Sequence, residues 1–313
     1  MLTAAAAAVH AGPMTTEPFV LSERDSPSRT RPALLALARA QAARRRPIEL
    51  LQQWQRDGTV GPSDLDLRDA VRLDGIALSA SAEYEAVLLS PVAPLGMCSV
   101  LAPTSQDRTL TTTRATEVVS DPTNALALEA AGRLAADTTA SVRLCTAHQV
   151  LRMQRPSSEP GRSQHFRLFC LAEAAFGRAD HAVELEAISR QLTAILATIG
   201  SAASQFDRDY GRISALLETA PGRDSLADRV TDLLSGPALD LAVEHGALQS
   251  DYYDGVRIQL FVDGPDGLDG GRSAIADLGL FDWVGQLLGD RRARFIASGV
   301  GLQLLPVLGH PAR

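Results

Sequence analysis

The stretch DYYDGVRIQLF, residues 251–261, is the most informative of this chain, because two consecutive tyrosines precede a clear strand pattern. From Val256 onward apolar and polar residues alternate, which is the period-two pattern of a strand with one buried face. Tyr252 and Tyr253 are consecutive, so in a strand their rings would point to opposite faces. We therefore expect one tyrosine to face a pocket and the other to face the core or a neighbour.

Further segments on either side extend this pattern. The run ASGVGLQLL (297–305) predicts a strand of small residues that enters a helix, and VLRMQRPSSEPGRSQHFRLF (150–169) predicts two strands joined by a polar loop. A Gly/Asp-rich turn ends in DGGR (269–272). Asp121 and Pro122 predict the start of a helix, as its cap and its first residue. Strand pairs mixed with helices predict an α+β fold, an antiparallel sheet flanked by helices.

The chain divides into three predicted regions. Residues 1–31 are polar or low in complexity and predict a disordered N-terminal tail. Residues 32–63 predict a helical segment in which Pro32 opens the first helix. Residues 64–313 predict one core domain, with a helical insertion at about 176–248 inferred from its periodic apolar residues.

Composition limits the functional classes. The 313 residues are 45% hydrophobic and 21% charged, which is typical of a soluble globular protein. The net charge of −7 argues against nucleic-acid binding, because phosphate backbones attract basic surfaces. The three cysteines form no CxxC pair, which favours a reducing compartment, and no apolar run is long enough to span a membrane. We therefore expect a cytoplasmic protein with no membrane partner.

Together, and in their order along the chain, these segments resemble the catalytic core of class II aminoacyl-tRNA synthetases, specifically the histidyl-tRNA synthetase branch. The resemblance spans roughly residues 64–308 and implies that family's antiparallel core, its ligand pocket and a homodimer. Histidyl-tRNA synthetases continue into an anticodon-binding domain, and we expect this chain to lack one. The first family motif, a helix and strand ending at a proline in the dimer interface, is similar to residues 64–91, with Pro91 as the proline.

The second family motif is a strand, loop and strand whose first strand carries an arginine that holds the α-phosphate and the acyl group. Arg152 matches that arginine, and a guanidinium suits the role because it makes bidentate contacts at fixed geometry. Gln154 replaces the acidic residue expected two positions later. The loop otherwise matches the histidyl version at five positions, namely Arg155, Pro156, Gly161, Gln164 and Phe166.

The third family motif is a strand of small residues that enters a helix beginning with glycine. That helix carries an arginine that contacts adenine and the γ-phosphate in the family. Here Gly301 falls within the matching run, but the expected Glu–Arg pair falls on Gln303 and Leu304. A leucine cannot carry charge, and each lost charge-assisted contact is worth about 1.5–3 kcal/mol. The replacement therefore argues against ATP-driven activation.

Two further segments are specific to the histidyl branch, where they line the amino-acid pocket. The first is matched at Asp251, Tyr252, Tyr253 and Gly255, although its preceding arginine falls near Leu248. The second, a Gly-Gly-Arg-Tyr-Asp turn, is matched at Gly270, Gly271 and Arg272, and Ser273 and Ala274 replace its last two residues. The acidic residue that holds the substrate amine in the family aligns with Thr123.

These matches imply a single ligand-binding site. Its predicted residues are Arg152, Gln154, His165, Phe166, Asp251, Tyr252, Tyr253, Arg272 and Gly301. Arg152 would be catalytic only if the protein keeps an activity. His148 and His165 flank the predicted hairpin loop, and no second pair of ligands stands at zinc spacing, so we expect no metal site.

Two functional hypotheses follow. The first is a pseudoenzyme, a class II synthetase paralogue unable to aminoacylate tRNA. It would bind an amino acid or another small molecule and act as a regulatory subunit of a partner enzyme, as the histidyl-like subunit of ATP phosphoribosyltransferase does. The second is a divergent enzyme that uses ATP and Mg²⁺ to join a carboxylate to a non-tRNA acceptor, with Arg167 or Arg272 in place of the lost arginine. The sequence names no other cofactor, and its acidic charge disfavours a third reading, RNA binding by the fold alone.

Overall fold

The computed structural model describes residue 22, residues 24–263 and residues 271–312. Residues 1–21, which make up most of the predicted tail, therefore lie outside the described part of the chain, as do Asp269 and Gly270 of the DGGR turn. The chain divides into two compact units, Met1–Pro47 and Ile48–Arg313.

In the first unit, helix α1 (Pro27–Ala43) begins at Pro27 rather than at Pro32. Pro27 takes the first helical position, where a missing N–H costs nothing, and Pro32 lies inside the helix. Helix α2 (Pro47–Arg56) follows along the chain, and α3 (Leu67–Ala80) belongs to the second unit.

The described part of the chain contains twelve strands, most of them in one sheet. They are β1 (Glu85–Ala86), β2 (Val92–Pro94), β3 (Thr116–Val118), β4 (Val142–Leu151), β5 (His165–Phe176), β6 (Arg208–Asp209), β7 (Ser214–Thr219), β8 (Ala242–Ala247), β9 (Val256–Asp263), β10 (Arg272–Phe281), β11 (Ala293–Gly301) and β12 (His310–Pro311). Eight of them form a central sheet in the order β1-β4-β5-β11-β10-β9-β7-β8.

The central sheet is antiparallel except at its two ends, where β1 pairs with β4 and β7 pairs with β8 in parallel. Strands β4 and β5 form the predicted hairpin, which runs from the pair Val142–Ala174 to the pair Leu151–His165. The predicted α+β fold is therefore confirmed, with a mainly antiparallel platform.

Four more helices flank the sheet: α4 (Pro122–Ala136), α5 (Ala182–Phe206), α6 (Asp224–Ser235) and α7 (Trp283–Leu288). The capping prediction for α4 is confirmed, because the Asp121 carboxylate accepts a hydrogen bond from the N–H of Thr123. Among the described residues no helix is both long and apolar enough to cross a membrane.

The two faces of the sheet are covered differently. Helix α5 supplies Ile188, Leu192 and Ile195 to a large apolar cluster that also contains Ile258 and Leu278 of the sheet. On the opposite face, α4 and α7 pack on a second apolar cluster of sheet residues that includes Phe295. A cavity opens beside this second cluster.

The segment 176–248, predicted as a helical insertion, is not wholly helical. It contains α5 and α6, but it also contributes β7 and β8 to one edge of the central sheet. The stretch Ser214–Thr219 pairs with β9 on one side and β8 on the other, so tertiary pairing overrides its helical pattern. Helix α5 ends where Asp207 takes a left-handed backbone conformation, which frees the chain to turn back into the sheet.

Candidate functional site

A cavity of about 730 Å³ lies on the sheet face opposite α5. Strands β5, β9, β10 and β11 provide its floor, and the loop of residues 152–164 between β4 and β5 provides one wall. Its size suits a small-molecule ligand, since such pockets commonly enclose about 300–1,000 Å³.

Arg152 enters this cavity directly after β4. Its Nε donates to the Ser120 carbonyl at 3.0 Å, and its Nη2 lies 3.9 Å from the Asp121 carboxylate. Its guanidinium carbon lies 5.0 Å from the centre of the Phe166 ring, within cation–π range. Burial lowers the pKa of Arg152, the charge of Asp121 opposes that shift, and the charge of Arg108 adds to it. The guanidinium is held in place but only partly neutralised, which suits it to an anionic ligand group.

Asp121 is a cavity residue that the sequence identified only as a helix cap. One carboxylate oxygen caps α4 through Thr123, and the other accepts a hydrogen bond from the Tyr252 hydroxyl at 2.8 Å. Burial and the charge of Asp121 raise the pKa of Tyr252 well above its usual value, so this tyrosine stays a donor. The acid that binds the substrate amine in the family aligns with Thr123. Asp121 lies only two residues before that position, and this proximity could have identified it as a site residue.

A second carboxylate, Asp277 of β10, faces the cavity next to Arg257 of β9. Arg257 donates to Asp277 at 2.7 Å and to Glu218 at 2.9 Å, and its guanidinium carbon lies 5.1 Å from the Tyr253 ring centre. Burial raises the pKa of Asp277, although the hydrogen bonds from Arg257 oppose that rise. Sequence reasoning missed this pair because each charge, taken alone, is typical of the exposed face of a strand.

The prediction that Tyr252 and Tyr253 face opposite ways is wrong, because both rings line the cavity. The two residues lie in the turn before β9, where strand alternation does not apply, and Gly255 completes the turn with a φ of +82°. Their ring centroids are 5.0 Å apart in an edge-to-face arrangement.

The third motif is present in an altered form. After Gly301 at the end of β11, the predicted helix is only a three-residue 3₁₀ turn, Leu302–Leu304. Leu304 is 5% exposed, and a Cβ added to Gly161 of the loop would lie 3.1 Å from its Cδ2 atom. Leu304 and Arg152 line the same cavity. The position expected to hold a nucleotide-binding arginine therefore holds a hydrocarbon packed under the β4–β5 loop.

Gln303 also contacts the β4–β5 loop. Its amide nitrogen donates to the Gly161 carbonyl and to the Ser163 hydroxyl, and its amide oxygen accepts from the Arg167 N–H at 3.3 Å. The pair that replaces the family's Glu–Arg thus ties the loop to the sheet.

Most of the predicted site residues come together, but three do not. Arg152, Gln154, Phe166, Tyr252, Tyr253 and Gly301 line the cavity. His165 lies outside the lining, where its imidazole nitrogens lie 2.8 Å from the Gly61 carbonyl oxygen and 3.0 Å from the Gln149 side-chain nitrogen. Asp251 is exposed in the turn and does not line the cavity either.

Neither arginine considered as a substitute for the lost one reaches the cavity. Arg272 pairs with Glu244, and its guanidinium carbon lies 4.2 Å from the Phe261 ring centre. Arg167 forms an ion pair with Asp74 of α3. Arg167 lies between the cavity residues Phe166 and Leu168, so strand alternation places its side chain on the other face of the sheet. Arg272 lies two positions before the cavity residue Ala274 on β10, so its contacts with Glu244 and Phe261, rather than alternation, keep it outside the cavity.

The charges around the cavity differ in balance from those of the whole chain. Five arginines line it, at positions 108, 152, 155, 162 and 257, against three carboxylates, Asp121, Glu159 and Asp277. The lining is therefore net positive in a chain with a net charge of −7. Within the described ranges, no group of three His, Cys, Asp or Glu side chains could hold a metal ion.

Comparison with known proteins gives structural neighbours only. No family model and no curated protein matches the sequence. Apo histidyl-tRNA synthetase of S. aureus superposes with a TM-score of 0.56 at 12% identity, covering 76% of this chain and 64% of that one. The chain thus spans less than two thirds of that synthetase.

Two further neighbours have shorter chains. An ATP phosphoribosyltransferase regulatory subunit/histidyl-tRNA synthetase from Bacillus halodurans has a TM-score of 0.56 at 12% identity, covering 80% of this chain and 82% of that one. A histidine–tRNA ligase subunit from Alicyclobacillus acidocaldarius has a TM-score of 0.56 at 14% identity, covering 80% and 95%. At these identities the likeness establishes the fold: this chain has the class II aminoacyl-tRNA synthetase-like core that histidyl-tRNA synthetases and their regulatory relatives share.

Proposed function

We propose that this protein is a class II synthetase paralogue that does not aminoacylate tRNA, and that it binds an amino acid or a related carboxylate as a regulatory subunit. The observation that carries this proposal is Leu304. It stands buried in the same cavity as Arg152, at the position where the family places a nucleotide-binding arginine. A leucine offers no donor to a phosphate, whereas the rest of the cavity keeps the charged groups that a small zwitterion needs.

The cavity offers both halves of amino-acid recognition. Arg152, held by the Ser120 carbonyl, is suited to the ligand carboxylate. Asp121 and Asp277 are suited to the ligand ammonium, and the charge of Asp121 contributes to the raised pKa of Asp277. A ligand cation next to Asp277 would favour the ionised form of this carboxylate.

The regulatory part of the proposal is supported by the fold of a structural neighbour. One neighbour with this fold is named as an ATP phosphoribosyltransferase regulatory subunit/histidyl-tRNA synthetase, at 12% identity. A partner enzyme, a homodimer and a cytoplasmic location belong to the same proposal.

A second candidate function is a divergent ATP-dependent enzyme that activates a carboxylate. The specific observation in its favour is that Arg108, Arg155 and Arg162 line the cavity, so cations other than the lost arginine are present. ATP–pyrophosphate exchange over a panel of amino acids, combined with calorimetric binding of the same panel, separates the two functions. We expect binding without exchange. Exchange with any amino acid would establish the second function, and binding of no amino acid or related carboxylate would overturn the first.

A further inference from the structure

Helix α2 (Pro47–Arg56) has an apolar face that no other described residue covers. Four large apolar side chains, spaced three or four residues apart on one side of the helix, are each 50–55% exposed: Ile48, Leu50, Leu51 and Trp54. The polar residues Glu49, Gln52, Gln53 and Arg56 occupy the opposite side. Within the part of the chain that the structure describes, no residue of α2 is buried.

The contacts that hold α2 in place are all at its C-terminal end. The carboxylate of Asp57 accepts hydrogen bonds of 3.0 Å from the Gln53 side chain and from the N–H of Thr59. The Gly61 carbonyl oxygen lies 2.8 Å from a ring nitrogen of His165, at the start of β5. A ten-residue helix is marginal in water unless its apolar face packs against something. The exposed face of α2 is therefore suited to a binding partner.

The sequence around α2 has a charge opposite to that of the whole chain. Residues 27–56 contain seven arginines and one acidic residue, Glu49, which gives a net charge of +6. The whole chain has a net charge of −7, so subtracting +6 leaves −13 for the remaining residues. Three of the seven arginines, Arg44–Arg46, directly precede α2 in the sequence. This charge favours an anionic partner.

An anionic lipid surface fits the apolar face and the charge together. A helix with leucine and tryptophan on one side, next to several arginines, is typical of helices that lie in the headgroup region of a membrane. RNA would attract the arginines, but it binds through several stacked aromatic side chains, and α2 has one. A protein groove would require the charges at fixed positions, whereas a lipid surface accepts charges spread over thirty residues.

We propose that α2 attaches this protein to an anionic phospholipid surface, with its apolar face among the headgroups and the arginines of residues 27–56 near the lipid phosphates. At about 15 Å, α2 is too short to cross a hydrocarbon core of about 30 Å, so it lies on the surface. The expectation of no membrane partner considered only segments that span a membrane. The inference goes beyond the proposed function, because no residue of α2 lines the cavity. Anionic lipids of the cytoplasmic leaflet make it compatible with the proposed location.

The test uses the full chain and sedimentation with vesicles of phosphatidylcholine, with and without phosphatidylglycerol. We expect binding only to the vesicles that contain phosphatidylglycerol, and weaker binding as sodium chloride is added. The double variant Ile48→Gln/Leu51→Gln should bind these vesicles at least about tenfold more weakly, because it removes half of the apolar face. The matched control is Leu88→Gln/Val100→Gln, which changes two apolar residues that are 96% and 82% exposed outside α2. It should bind as the unchanged protein does.

Tryptophan fluorescence tests insertion of α2 in the unchanged protein, and so does not depend on the folding of any variant. The chain has two tryptophans, of which Trp54 is 55% exposed and Trp283 is 1% exposed. Quenching by acrylamide should therefore report mainly on Trp54. We expect vesicles that contain phosphatidylglycerol to reduce this quenching, and vesicles of phosphatidylcholine alone to leave it unchanged.

Four results would overturn the proposal. They are no binding to vesicles that contain phosphatidylglycerol, equal binding by the Ile48→Gln/Leu51→Gln variant, an equal loss in the control, and unchanged quenching of Trp54 in vesicle-bound protein. Without vesicles, protection of Trp54 that rises with protein concentration, together with association in sedimentation equilibrium, would assign the face to a second copy of the chain and overturn the proposal too.

Failure of this surface and failure of the proposed function leave different traces. Amino-acid binding measured by calorimetry should be the same in the Ile48→Gln/Leu51→Gln variant as in the unchanged protein, since these residues lie outside the cavity lining. Vesicle binding without any amino-acid binding would keep the lipid surface and overturn the regulatory ligand. Amino-acid binding without vesicle binding would do the reverse.

Discussion

The two faces of strand β9 have different roles, one in the core and one in the cavity. Val256, Ile258 and Leu260 point to the α5 side and are at most 1% exposed. Arg257 and Gln259, between them in sequence, line the cavity. One strand thus contributes to the main core and to the candidate site at alternate positions. The comparison teaches that in β9 the apolar positions contribute to the core, while the positions between them are free to carry the polar groups that a ligand needs.

The largest expected effect tests the core face. Ile258→Ala should lower the free energy of unfolding by about 2–5 kcal/mol, because it leaves a cavity in a fully packed cluster. The neighbouring change Gln259→Ala should cost about 0.5 kcal/mol or less, since this side chain packs against the cavity rather than the core. Urea denaturation of both variants measures the difference. Equal losses would show that the two faces contribute equally to stability.

The next effect tests the altered third motif. Leu304→Arg should destabilise the protein by about 1–3 kcal/mol, because a larger charged side chain must enter a packed position under the loop. Leu287→Arg is the matched control, since Leu287 is 40% exposed. We expect the first variant to gain no ATP–pyrophosphate exchange. The prediction is contradicted if Leu304→Arg is as stable as Leu287→Arg and gains exchange. Leu304 would then contribute nothing to stability, and its only effect would be the loss of a ligand contact.

A third prediction concerns the charged face and pH. Asp277→Asn should weaken binding of the tightest amino acid in the panel about tenfold, equivalent to about 1.4 kcal/mol. The ligand ammonium favours the ionised carboxylate, so affinity should fall as acidification protonates Asp277. Because burial raises the pKa of Asp277 above its usual 3.8, this loss should begin at a higher pH than for an ordinary aspartate.

Calorimetry across a pH series measures this dependence. The Asp277→Asn variant serves as the reference, because an amide does not titrate and its affinity should lack that acid limb. An identical acid limb in both proteins would assign the titration to another group and remove Asp277 from the ammonium site.

The smallest effect tests the hydrogen bond that links the tyrosine turn to helix α4. Tyr252→Phe removes the hydroxyl that donates to Asp121 and should cost about 0.5–1.5 kcal/mol of stability. The same change at Tyr84, which donates to Glu173 on the opposite face of the sheet, should cost at least as much, since that carboxylate is only 3% exposed. Thermal denaturation of the two variants measures the difference. A larger loss of stability in Tyr252→Phe would show that the cavity face contributes more to stability than expected.

Prediction from sequence succeeded where the signal was local. The cap at Asp121 and the alternation of β9 depend on neighbours within a few residues, and the hairpin of β4 and β5 joins strands that are consecutive along the chain. It failed for the strand Ser214–Thr219, whose conformation is set by pairing with β8 and β9 rather than by its own pattern.

The candidate site was only partly accessible from sequence. The resemblance gave Arg152 and the two tyrosines, and it gave the loss at Leu304, because those positions lie in recognisable motifs. It also suggested His165 and Arg272, which the structure places in contacts outside the cavity. Motif matching gives the position of a residue along a strand, but not the contacts that its side chain makes in the folded protein.

The sequence by itself determined the start of α4, the strand pattern of β9 and the absence of an arginine at position 304, since each follows from residue identity and local spacing. Only the tertiary structure brought Arg108, Asp121, Arg257 and Asp277 together around Arg152. These residues are spread over more than half of the chain, and each one alone has the features of an ordinary surface charge. Their shared cavity exists because strands far apart in sequence pair side by side, which no local pattern encodes.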